Sequence, residues 1–252
     1  MLAIGPRVLG LLGGVLLLSA SQAQALTVVS VVGGAPAGTN YINFDSVPLN
    51  TTPGSYAVAP GVTLALVPNA QAVQGSTTTY AAPWLSGGNG TLFGDPNDGA
   101  DATTYITSGC NGGGCPNASA TLTFTGEEQY FGLLWGSVDT YNTLQFFDGA
   151  TLVGTVTGST VTASANGDRG VNGTYYVNIT SPVQFNTVVF TSSQYAFEFD
   201  NVAFNPTIPP NIPGTPLPGA LALFAGGLGL LGFTGLRRNR KTGRSLPSLA
   251  TA

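Results

Sequence analysis

Histidine is missing from all 252 residues, and only seven side chains are Lys or Arg. The first absence excludes a Ser-His-Asp hydrolase and any His-ligated zinc centre. Two cysteines are too few for a thiolate zinc site. Charged residues make up 7% of the chain, where a soluble globular protein carries about 25%. Between residues 26 and 210 there is no convincing amphipathic helix. The bases are also unevenly placed: Arg7 lies near the start, Arg237, Arg238, Arg240, Lys241 and Arg244 lie near the end, and only Arg169 lies between. All eleven acids, from Asp45 to Asp200, fall in that middle part, so one base against eleven acids leaves it at −10. Such a body repels nucleic acid and attracts cations.

What is present is small, hydroxylated and aromatic. The chain has 36 Gly and 17 Pro, with abundant Ser, Thr and Asn. Disorder is the competing reading for that composition, but 13 Phe, 9 Tyr and 2 Trp can supply a core. Strand patterns dominate the middle. "TLTFT" alternates, "YFGLLWG" is apolar on both faces, and "PVQFNTVVF" and "YAFEFDNVAF" are further strands. Asp148-Gly149 sits between two apolar runs and predicts a hairpin. In the last strand Phe197 and Phe199 share one face, whereas Val202 and Phe204 share the other parity, which predicts a β-bulge near Asp200-Asn201. The expected fold is all-β, a single jelly-roll-like β-sandwich over residues 26–206.

The two ends read as addresses. In residues 1–25 a single Arg precedes an apolar run from Val8 to Leu18, followed by Ala23-Gln24-Ala25, the pattern of a signal peptide cleaved after Ala25. A Pro-rich linker occupies residues 207–215. Pro216-Leu217-Pro218 follows, then 18 uncharged residues from Gly219 to Leu236, the lower limit for a transmembrane helix. The basic cluster at 237–244 (Arg237, Arg238, Arg240, Lys241, Arg244) resists translocation and stays cytoplasmic, leaving a short tail at 245–252. This three-part pattern resembles the PEP-CTERM sorting signal over about 30 residues, with Leu217 in place of the central Glu. Tails of this kind are sometimes labelled an ice-binding protein C-terminal domain, a label that implies no ice binding. The resemblance implies a substrate of exosortase, a membrane transpeptidase of Gram-negative bacteria that make extracellular polysaccharide. The Sec translocon is then a further partner, with a membrane-held intermediate before release or surface anchoring.

Candidate sites in the body are few. Cys110 and Cys115, separated by Asn-Gly-Gly-Gly, are expected to form a disulfide in an oxidising compartment. Asp45 on the first strand and Asp200 on the last form a candidate calcium pair, with ordinary strand-edge acids as the alternative. "GDPNDGAD" gathers Asp95, Asn97, Asp98 and Asp101, but it lacks EF-hand spacing and is expected to be a solvated turn. Trp135, Asp139, Tyr141 and Asn142 make a candidate sugar site, with a core role for the Trp as the alternative. Two carboxylates suffice for a glycosidase, and Glu127, Glu128, Glu198 and Asp200 are the available groups. Adjacent Glu127 and Glu128 read instead as a solvated strand edge. The expectation is a non-enzymatic exported surface or matrix protein with no certain cofactor. A calcium-stabilised carbohydrate-binding module is the first alternative, and a carboxylate glycoside hydrolase the second.

Overall fold

A computed structural model describes residues 26–31, 33–50, 53–110 and 119–212. The signal-peptide cleavage residues Ala23 and Ala25, Cys115, the motif Pro216-Leu217-Pro218, the 219–236 span and the basic cluster lie outside the described residues. Among the described residues, no helix is long and apolar enough to cross a membrane.

The described residues are almost entirely β, as the alternation predicts. In order it forms β1 (Thr27–Val31), β2 (Asn40–Ile42), β3 (Gly54–Ala59), β4 (Val62–Leu66), β5 (Gln71–Val73) and β6 (Trp84–Leu85). After a 3-10 turn at Thr91–Phe93 come β7 (Gly99–Ala100), β8 (Tyr105–Ser108), β9 (Ser119–Gly136), β10 (Asn142–Asp148) and β11 (Thr151–Thr157). A single helical turn at Gly158–Val161 precedes β12 (Tyr175–Ser192) and β13 (Phe197–Asn205). Eleven strands join one antiparallel sheet, and β6 pairs with β7 separately.

Strands β9 and β12 organise everything else. Each is 18 residues long, and they pair along most of their length with a register shift between Thr180 and Thr187. The second half of β9 and the first half of β12 carry β13 and β1 as outer neighbours. The first half of β9 and the second half of β12 carry β4 and β10. The hairpin from β10 to β11 turns at Gly149, whose φ of 55° suits a residue without a Cβ, and pairs Asp148 with Thr151.

Aromatic side chains from the two half-sheets meet in the core. Phe190 of β12 stacks on Phe199 of β13 at 3.8 Å between ring centroids, and Phe131 of β9 packs against Phe146 of β10 at 5.7 Å. Phe124 lies 5.0 Å from Phe204 in the same way. The bulge in β13 falls where the parity switch puts it. Asp200 pairs with Leu134 and Ala203 with Gly132, so one extra residue is accommodated, and Asn201 adopts φ 50°. Phe197, Phe199, Val202 and Phe204 thereby all reach the same core.

The opposite face of β13 is covered too. Ala35, Leu85 of β6 and Phe93 of the 3-10 turn close over Tyr130, Leu134, Tyr176 and Ala203. Glu198 and Asp200 therefore lie under protein rather than in solvent. Glu128 is also buried, correcting the expectation of a solvated edge at Glu127-Glu128. Burial, with Glu127 beside it, raises the Glu128 pKa to about 7.

Phe190 touches Phe131, Phe197 and Phe199 and has no exposed surface. Phe190→Ala is expected to cost about 3–5 kcal/mol, measured as the shift in a urea unfolding midpoint.

Candidate functional site

A polar cleft of about 210 Å³ opens where the loops after β9 and before β13 meet two further connections. Ser137, Asp139, Tyr141, Asn166, Arg169 and Glu198 line it. Asp139 is held by its backbone: its N–H donates to Asn142 Oδ1 at 2.9 Å, and it forms an isolated bridge with Asn166. Gly167 closes this bridge at φ 70°, and a Cβ there would lie 2.7 Å from Asp139 Oδ1. Glycine is thus required both by the backbone and by the approach to the carboxylate.

Glu198 sits at the floor, 2% exposed. Ser137 Oγ donates to its Oε2, and the Ala81 N–H donates to its Oε1 at 2.8 Å. Burial pushes its pKa up to about 7; the two hydrogen bonds and Arg169 oppose that rise without cancelling it. Asp139 is also raised by burial, partly offset by the Tyr141 hydroxyl. Arg169 is committed to the wall, its Nη2 donating to the carbonyls of Thr77 and Tyr80. Tyr141 Oη donates to the Tyr195 carbonyl at 3.0 Å. The cleft therefore presents carboxyl, hydroxyl, amide and guanidinium groups with two tyrosine rings at its edge, a set suited to a polyhydroxylated ligand.

Of the four residues expected to bind sugar, Asp139 and Tyr141 line this cleft. Trp135 is wholly buried, stacked on Phe197 at 4.3 Å, and offers no face to a ligand. Its place follows from the apolar run around it, which continues β9 through the covered half of the sheet. Asn142 is equally buried: its Nδ2 donates to Ser192 Oγ and to the Ala196 carbonyl, both at 3.0 Å. It orders the loop that carries Asp139. Asn166 and Arg169 join the cleft through tertiary folding; the signal available in sequence was that Arg169 is the body's single base.

Asp45 and Asp200 share a neighbourhood in which both influence the same charges, and Asp95 and Asp101 join them. The "GDPNDGAD" segment is solvated at Pro96–Asp98, as expected, but its last acid turns inward: Asp101 is 2% exposed and Asp95 is half-buried. Cys110 is buried, and its expected partner lies outside the described residues.

The raised carboxyl in the cleft sets the direction of a pH effect. Below its ordinary value of 4.5, Glu198 is protonated both folded and unfolded. Between there and about 7 the folded state holds the proton longer, so stability falls as pH rises through that window. The groups facing Glu198 are Arg169, Tyr105, Tyr141 and the neighbouring Asp139. Glu198→Gln is expected to melt with the wild type near pH 4.5 and above it at pH 8 in metal-free buffer, a gap on the order of 3 kcal/mol. No protein-family model, curated protein or solved structure matches this chain.

Proposed function

We propose that this chain is an exported cell-surface or extracellular-matrix protein, sorted and processed by an exosortase, whose β domain has a structural or adhesive and non-enzymatic role. The observation that carries the reading is the partition of charge. Five bases follow an 18-residue uncharged stretch at one end, and the body at −10 holds a single base. Lipid and the translocation machinery sort such a chain with its acidic part outside and its arginines inside. We read the two half-sheets as the layers of a jelly-roll-like sandwich, because they share β9 and β12 while their aromatic side chains meet between them. A disulfide from Cys110 to Cys115 suits the oxidising compartment this route implies.

A second reading, recognition of extracellular polysaccharide, is favoured by the cleft of Asp139, Tyr141, Arg169 and Glu198. It is compatible with a matrix role, since a glycan-binding face would attach the domain to the polymer around the cell. The carboxyl pair in that cleft is also what a glycoside hydrolase would use, but both Glu198 oxygens are engaged by Ser137 and Ala81. That arrangement favours a positioning role.

Mass spectrometry of envelope and medium is expected to find a body beginning at Leu26 and ending near Pro216–Pro218. An extracellular form still carrying Arg237–Arg244 contradicts the sorting route. On a glycan array, binding that falls tenfold or more in Asp139→Ala supports the second reading. Glycan cleavage that vanishes in Glu198→Gln contradicts the non-enzymatic one.

A further inference from the structure

Four acids come together from separate segments on the covered face of β13. Asp45 follows β2, Asp95 follows the 3-10 turn, Asp101 follows β7, and Asp200 lies at the bulge. Asp200 has no exposed surface; its Oδ1 accepts from the Asn201 N–H at 2.7 Å, and its Oδ2 has no partner. Asp101 Oδ1 accepts from the Thr103 N–H and hydroxyl at 2.8 and 2.6 Å, while its Oδ2 is buried without a partner. The Asp101 and Asp200 carboxyls are close enough to share a hydrogen bond. Asn201, also fully buried, has no partner for its side-chain Oδ1, while its side-chain amide lies against the Asp95 carboxyl, whose buried Oδ2 makes no short hydrogen bond. Asp45 completes the ring from the rim, its Oδ1 accepting from the Thr104 N–H at 3.1 Å and its Oδ2 from Asn43 Nδ2 at 2.9 Å.

Four unpartnered oxygens thus sit together under protein: Oδ2 of Asp95, Asp101 and Asp200, and Oδ1 of Asn201. Native proteins rarely leave buried acceptors unpaired, and a buried carboxylate needs a counter-charge. Among the described residues no side chain provides one. Arg169, the single base of the body, is held at Thr77 and Tyr80 in the other cleft.

We propose that Asp101, Asp200 and the Asn201 amide oxygen, ringed by Asp95 and Asp45, form a calcium-binding site that ties three loops to the last strand. An all-oxygen set selects a hard cation over zinc, and Ca²⁺ accepts irregular geometry and water in the remaining positions where Mg²⁺ demands a regular octahedron. Among the described residues no group of three or more acids is spaced to hold a metal ion as it stands. The proposed centre is therefore the Asp101–Asp200 pair with the Asn201 amide oxygen, water fills the remaining positions, and binding appears as stability. The site rests on burial and charge alone, independent of the export and glycan readings.

The competing occupant of the Asp101–Asp200 pair is a shared proton, and calcium titration separates the two. The full chain, stripped with EDTA at pH 7.5, is melted in rising CaCl₂ and titrated by calorimetry. At a calcium concentration about 100 times the dissociation constant, the midpoint is expected to rise by roughly 5–10 °C. Asp101→Asn and Asp200→Asn should each reduce that rise at least threefold. Without calcium Asp200→Asn should melt no lower than the wild type, since it removes buried charge at constant shape. Asp98→Asn, an exposed acid of the same loop, should respond as the wild type does. No shift and no heat up to 10 mM CaCl₂, an equal response to MgCl₂, or an undiminished response in both Asn variants would overturn the proposal.

Discussion

The antiparallel ladder between β9 and β12 is the constraint on which the molecule depends. Each strand serves both halves of the sheet, so a one-residue slip between them would turn every inward aromatic outward. The contacts Phe190 on Phe199 and Phe131 on Phe146 hold that register, because they form only when both halves are aligned at once. The shift between Thr180 and Thr187 lets two long strands pass from one half to the other without losing their pairing. A long strand that bends in this way makes core packing and strand register a single problem.

A second constraint is chemical. The body has eleven acids and one base, so folding cannot neutralise buried carboxyls with ion pairs. Three substitutes appear instead. Glu198 is held by a hydroxyl and a backbone N–H, Glu128 is pushed towards its neutral form, and Asp101 and Asp200 are set side by side. Each keeps polar groups buried at a cost that depends on pH or on an external cation. Stability in this domain is therefore coupled to solution conditions more tightly than in a protein with ordinary salt bridges.

These two constraints meet at β13. Its inward face carries Phe197, Phe199, Val202 and Phe204 into the core, and its bulge makes that continuity possible. The same bulge turns Asp200 and Asn201 beneath the covering loops. A local backbone irregularity thereby joins the packing of the core to the charged cluster, and the polar cleft begins at the other end of the same strand with Glu198.

Local patterning was enough to indicate the all-β class, the hairpin at Gly149 and the bulge beyond Asp200, because alternation and turn chemistry act over a few residues. The meeting of Asp45 with Asp200 was partly legible for the same reason, since both flank strand residues of clear parity. Their companions Asp95 and Asp101 were not, because nothing in "GDPNDGAD" shows that these two acids turn inward while Asp98 stays exposed. Trp135 and Asn142 resembled ligand-binding residues until a stacked ring and three hydrogen bonds placed them inside. The sequence by itself determined strand periodicity, turn positions and the extreme charge partition, which are properties of neighbours along the chain. Only the tertiary structure decided which acids are buried together and which polar groups face a cleft, because burial depends on segments far apart in sequence closing over the same face.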